Sequence, residues 1–224
     1  MSETDRKTVD ATQPDPLDGD PRLPAYFGAA WPKVERFAQL LRSEGEVRGL
    51  IGPREQSRLW ERHILNSAAV VPYLPATGRI VDVGTGAGLP GVVVAAMLRE
   101  AEVVLMEPME RRTQWLEEVV DALELGNARV LRGRAEEFDG AIEADAVTAR
   151  AVAAMDKLAR WCLPLLRDGG ALVALKGASA PAELEKAKYV LRKLGGDAGE
   201  VLEARTIDGV DSTTVVRVVR KTVR

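Results

Sequence analysis

The chain has 224 residues, of which 46% are hydrophobic and 29% charged, with a net charge of −3. That length suits one α/β domain with an added element and is short for two. No apolar run approaches the roughly 18 residues of a membrane span, the N-terminus lacks an apolar signal core, and a single cysteine, Cys162, excludes an internal disulfide, so a cytoplasmic protein is expected.

Residues 1–20 hold six acids against Arg6 and Lys7, two prolines and few large apolar residues, and are expected to form a disordered acidic tail. That tail carries −4 and leaves the body near +1, so charge neither supports nor excludes an RNA partner. Residues 21–75 read as a helical extension. Ala30, Val34, Phe37, Ala38 and Leu41 mark one helix over about 24–41, and Leu59, Trp60, His63, Ile64, Ala68 and Val71 a second over about 54–71. Pro72, Pro75 and Gly78 then mark a linker.

From 76 to 224 strands alternate with helices, the pattern of a parallel sheet covered on both faces. Strands are expected at 79–83, 102–107, 129–131, 144–149 and 171–176, with helices between them and a charged helix at 181–194. The last two strands, 200–207 and 213–220, are joined by Asp208–Ser212, too short a link for a helical crossover, so they pair antiparallel. The expected fold is α/β and Rossmann-like: a mostly parallel seven-stranded sheet with an antiparallel terminal hairpin. That layout resembles the class I S-adenosylmethionine-dependent methyltransferases.

The segment Ile80-Val81-Asp82-Val83-Gly84-Thr85-Gly86-Ala87-Gly88-Leu89-Pro90-Gly91 places four glycines after the first strand. Such density lets backbone approach a ligand closely. A dinucleotide fingerprint fails when started at Gly84, because Leu89 stands where its third glycine belongs; started at Gly86 it is met formally. An S-adenosyl-L-methionine site uses more of the segment. Asp82 can help hold an ammonium group, Gly84, Gly86 and Gly88 can meet the amino-acid and ribose portions, and Glu107, ending the second strand, can accept from ribose hydroxyls.

The acceptor is constrained by what is missing. Cys162 lies beside Trp161 and Leu163 in a helix and reads as a buried apolar residue, not a nucleophile. His63 reads as a packed histidine. No Asn/Asp-Pro-Pro-aromatic turn follows the fourth strand. Guanine N7 has a free lone pair and no proton, so it needs no general base, only alignment. Arg150 and Lys176 end adjacent strands and can donate to the O6/N7 edge, which makes them the candidate catalytic residues. A metal is not expected.

Several segments together resemble the bacterial 16S ribosomal RNA guanine-N7 methyltransferases, the glucose-inhibited division protein B family. They are Arg62-His63-Ile64-Leu65-Asn66-Ser67, the glycine segment, Arg134-Ala135-Glu136-Glu137-Phe138, Thr148-Ala149-Arg150-Ala151 and Ala174-Leu175-Lys176-Gly177. The resemblance implies methylation of one guanine in 16S ribosomal RNA of the small ribosomal subunit. It also implies cofactor contacts at Gly84, Leu89, Ala135, Glu136 and Arg150. Asn66 departs from an aspartate common in relatives and removes a charge partner for Arg62. An RNA-facing surface is expected from Arg54, Arg58 and Arg62, four residues apart on the second helix, and from Arg111, Arg112 and Arg134. A monomer is the default. The alternatives are an NAD-dependent oxidoreductase and a non-catalytic ribosome-associated module retaining the fold.

Overall fold

The structure, a computed structural model, describes residues 14–221; of the tail expected over residues 1–20, residues 1–13 lie outside the described residues. Residues 14–20, expected as part of that tail, are instead folded onto the helical extension. Asp15 is buried, its Oδ2 accepting the Trp60 N–H at 2.9 Å and its Oδ1 the Leu17 N–H at 3.0 Å. Asp18 Oδ1 accepts the Trp60 indole N–H at 3.0 Å and pairs with Arg42. The N–H groups that open a helical segment need an acceptor from outside it, and this acidic stretch supplies one.

The first expected helix is divided. α1 (Arg22–Phe27) stops at Gly28, where φ is +50°, and α2 (Trp31–Glu44) restarts with Pro32 in its first turn. The second is not one α-helix either. A 3₁₀ segment, Pro53–Arg58, leads into a π-helical turn, Trp60–Leu65, and then into the short α3 (Asn66–Ala68).

The sheet follows the sequence expectation. β1 (Gly78–Val83), β2 (Ala101–Glu107), β3 (Ala128–Arg132), β4 (Ala144–Arg150), β5 (Leu166–Lys176), β6 (Glu200–Ala204) and β7 (Thr213–Val219) lie in the order β3-β2-β1-β4-β5-β7-β6. All neighbours are parallel except at β7, which is antiparallel to both β5 and β6. Helices α4 (Gly91–Met97), α5 (Glu110–Ala122), α6 (Met155–Cys162) and α7 (Ala180–Lys193) make the crossovers. β5 begins five residues earlier than expected, because Pro164 ends the helical run at a 3₁₀ turn, Leu163–Leu165; the β4–β5 register shifts between Ala144 and Ala146.

Successive strand residues face opposite sides, so the sheet separates two apolar layers. Ile80, Leu105, Val173 and Val215 pack with Phe37, Leu41 and Ile64, which places the N-terminal extension in one continuous core with α4 and α5. Val81, Val104, Val147 and Leu172 pack with α6 and α7 through Leu158 and Leu191. Cys162 is fully buried there and burial pushes its thiol upward, as an inert core residue requires. Both edge strands carry paired charges. On β3, Arg129 meets Glu102 at 2.7 Å and Arg132 meets Glu110 at 3.2 Å; on β6, Glu200 meets Arg217 at 3.2 Å and Glu203 meets Arg205 at 2.6 Å.

Candidate active site

The parallel strands all end at one rim, and the glycine segment turns there. Gly84, Gly86 and Gly88 sit at φ of +68°, +59° and +101°, a left-handed region that side chains avoid. Gly91 has a different task. Its N–H donates to Asp82 Oδ2 at 2.7 Å, and a Cβ at this position would strike the Leu105 side chain. Asp82 is wholly buried; desolvation drives its carboxyl up to about 6, against the pull of Thr85 and of the Gly91 N–H. Asp82 Oδ1 and Thr85 Oγ1 are buried without a completed hydrogen bond, although the hydroxyl lies close enough to favour the carboxylate. Leu89 is buried beneath the turn.

Glu107, at the end of β2, is also buried. Its Oε2 accepts the Gly86 N–H and its Oε1 the Met109 N–H, both at 3.0 Å. Each carboxylate oxygen has two lone pairs, so one on each is still free for a ligand hydroxyl. Arg112, expected on an RNA face, lies against this acid: Nη1 is 3.7 Å from Glu107 Oε2, and Nε is buried without a partner. The first turn of α5 sits over the end of β2 and carries the guanidinium inward. Ala135, buried, and Glu136, exposed, open the 3₁₀ turn Ala135–Phe138 after β3, the strand next to β2.

On the other side of β1, Arg150 and Lys176 end the adjacent strands β4 and β5 and line an open cleft of about 780 Å³. Glu55, Arg62, His63, Asn66, Glu183 and Asp211 line it too. Lys176 Nζ donates to the Ala153 carbonyl at 2.8 Å and pairs with Glu183 at 2.6 Å. Arg150 reaches the helical extension: its Nη1 donates to the Arg62 carbonyl at 3.0 Å and faces Asn66 Oδ1 at 3.4 Å, and its Nη2 meets His63 Nδ1 at 3.2 Å.

His63 therefore lies in the cleft with both ring nitrogens engaged, Nε2 standing 2.9 Å from Glu55 Oε2. The sequence reading of a packed histidine holds in that its side chain is largely buried; what it did not show is that the ring borders the cleft. Burial and the Arg150 guanidinium push the imidazole down to about 4, so it is neutral. The presumed loss of a partner through Asn66 is corrected as well. Arg62 pairs with Glu55 at 3.3 Å, while the Asn66 side chain links Arg150 to the Thr213 hydroxyl, 3.0 Å from its Nδ2. No hydrophobic pattern marks Glu55; only the Arg-His-x-x-Asn spacing hinted at this cluster.

The arginine stripe is not realised as one helical face, because Arg54 and Arg58 lie in a 3₁₀ segment, where residues three apart eclipse and residues four apart point about 120° from one another. Arg58 is paired with Glu61 at 2.7 Å and Arg62 with Glu55, whereas Arg54, Arg111 and Arg134 are exposed and have no carboxylate partner among the described residues.

A terminal antiparallel hairpin distinguishes this sheet from the six-stranded dinucleotide fold, whose order is 3-2-1-4-5-6. A SAM-dependent O-methyltransferase from Thermotoga maritima superposes with a TM-score of 0.55 at 16% identity, over 76% of this chain and 71% of that one, so the fold is that of the class I methyltransferases. Two curated relatives, each named ribosomal RNA small subunit methyltransferase G, are much nearer in sequence. The one from Thermobifida fusca is 50% identical over 86% of this chain and 81% of its own length. The one from Beutenbergia cavernae is 52% identical over 86% and 91%. The model of the GidB family, described as rRNA small subunit methyltransferase G, matches residues 30–207, and the chain belongs to that family.

Proposed function

We propose that this protein transfers the methyl group of S-adenosyl-L-methionine to N7 of one guanine in the 16S ribosomal RNA of the small ribosomal subunit. The observation that carries this reading is the division of one rim into two parts. Asp82, the glycine turn and Glu107 lie on one side, and the cleft with Arg150 and Lys176 lies on the other.

The residues present fit the donor. Asp82 has a buried, unsatisfied oxygen suited to an ammonium group, and Glu107 keeps acceptor capacity for ribose hydroxyls. Gly84, Leu89, Ala135 and Glu136 stand along the same rim, where the chain can bracket the rest of the nucleoside. When bound there, S-adenosylmethionine would supply a methyl group on a sulfonium, the C–S pair leaving with sulfur as the N7 lone pair takes the carbon, with no proton to remove.

The protein's own contribution is alignment and exclusion of water. Lys176 has one N–H left beyond its bonds to Ala153 and Glu183, and Arg150 keeps two of its five, so both can donate to guanine O6. Every step proceeds without a general base, in keeping with the paired state of Glu55 and Glu183. Arg54, Arg111 and Arg134 are exposed cations available to RNA phosphates, with Arg58 and Arg62 nearer the cleft. We take the protein to act as a monomer in the cytoplasm, where the subunits are; no helix among the described residues is long and apolar enough to cross a membrane.

The test is methyl transfer from labelled donor to small subunits lacking the modification, followed by nucleoside analysis. 7-Methylguanosine in the 16S RNA is expected. A different methylated nucleoside overturns the acceptor, and tight subunit binding without transfer favours the non-catalytic module.

A further inference from the structure

The helical extension meets Arg150, at the end of β4, through acceptors alone. In the π-helical turn the Asn66 N–H donates to the carbonyls of Glu61 and His63 and passes over that of Arg62. A regular α-helix would use the Arg62 carbonyl at that step. Here it accepts Arg150 instead, and Asn66 Oδ1 and His63 Nδ1 stand beside it.

Arginine has only donors, so His63 Nδ1 must carry a lone pair toward Arg150. The ring proton is then on Nε2, where Glu55 Oε2 accepts it. Glu55 in turn is steadied by Arg62 at 3.3 Å. Partners thus assign the tautomer. All three groups holding Arg150 are uncharged, so they fix its plane without neutralising it.

We propose that His63, locked by Glu55 as its Nε2–H tautomer, is a positioning residue that holds the Arg150 guanidinium for the methyl acceptor, with the π-turn exposing the Arg62 carbonyl for the same purpose. The role in methyl transfer rests on the function proposed above; the hold itself does not.

Two measurements separate them. His63 is the only histidine in the chain, so ¹⁵N labelling of histidine gives one imidazole. At neutral pH its Nδ1 is expected to be unprotonated and its Nε2 protonated, with that preference weakened in Glu55→Gln. A protonated Nδ1, or an imidazolium, overturns the hold whatever the activity.

The kinetic arm compares His63→Asn, whose amide oxygen falls where Nδ1 stands, with His63→Gln, which reaches toward Nε2 instead, and with His63→Leu. Methyl transfer to unmodified subunits should drop about 10- to 100-fold in the Gln and Leu variants and return to within a few-fold of wild type in Asn, at similar unfolding midpoints. A merely structural histidine would not produce that order. Gln equal to or better than Asn, or Leu at wild-type rate, overturns the positioning role; should Leu fail to fold, the Asn and Gln pair decides. A wild-type chain that transfers no methyl group counts against the proposed function, while the imidazole spectrum still decides the hold.

Discussion

Gly91 gives its N–H to Asp82 Oδ2 at 2.7 Å, which ties the opening of α4 to the strand that bears the acid. One glycine thereby fixes both the start of a helix and the direction of a buried carboxylate, and Asp82 is left with one oxygen for a ligand.

Asp82 should make donor binding pH-dependent. Its carboxyl is raised to about 6 in the free protein, so the folded state holds this proton more tightly than the unfolded chain does. Its contribution to stability is therefore largest in the protonated form and falls as pH rises from about 4 through 6. An ammonium ligand prefers the carboxylate, so S-adenosylmethionine affinity should weaken as pH falls through about 6. Asp82→Asn should flatten both profiles, bind the donor more weakly at neutral pH, and gain up to about 3 kcal/mol of unfolding free energy there. Calorimetry and chemical unfolding across that range check this; an unchanged affinity profile in the variant contradicts it.

Glu107→Gln keeps the size of the side chain but loses acceptor capacity and charge at the β2 end. Donor affinity should fall by about 1.5–3 kcal/mol, roughly 10- to 100-fold, while turnover at saturating donor stays near wild type. Titration and steady-state kinetics read the two effects apart. A fall confined to turnover would place Glu107 outside the donor site.

The exposed arginines separate by pairing. Arg54→Gln or Arg134→Gln should weaken subunit binding and reduce the slope of log affinity against log salt by about one. Arg58→Gln, which removes a cation already paired with Glu61, should change that slope less. Binding measured over a salt series decides between them.

Asp15→Ala removes the acceptor of the buried Trp60 N–H, and an unsatisfied buried donor costs about 1–3 kcal/mol. Denaturant unfolding of the full chain measures the loss. A change near zero would show that the acidic segment adds nothing to the fold.

Much of this architecture was legible in the sequence because it depends on simple periodicities. The short link before Thr213 forced an antiparallel partner, and the strand ends at Glu107, Arg150 and Lys176 put the candidate site residues on one rim. What escaped was set by backbone and by distant partners. A π-turn at Trp60–Leu65 leaves the same apolar spacing as an α-helix, so neither the broken arginine stripe nor the contact of His63 with Arg150 could be read. Asp15 belongs to a stretch whose polarity suggested disorder, yet it folds because a carboxylate there meets a helix-opening N–H 45 residues away. Arg112 read as an RNA-facing cation, and its approach to Glu107 follows from the first turn of α5, which the sequence pattern does not show.

The charges along the two outermost strands bear on how the molecule keeps to itself. An uncovered strand offers a row of backbone donors and acceptors to any neighbouring chain. At β3 and β6 a newcomer would have to strip water from Arg129, Arg132, Glu200 and Glu203 and disturb the ion pairs that already satisfy them. The sheet is guarded at both margins against growing by accretion, so neither outermost strand recruits a further one.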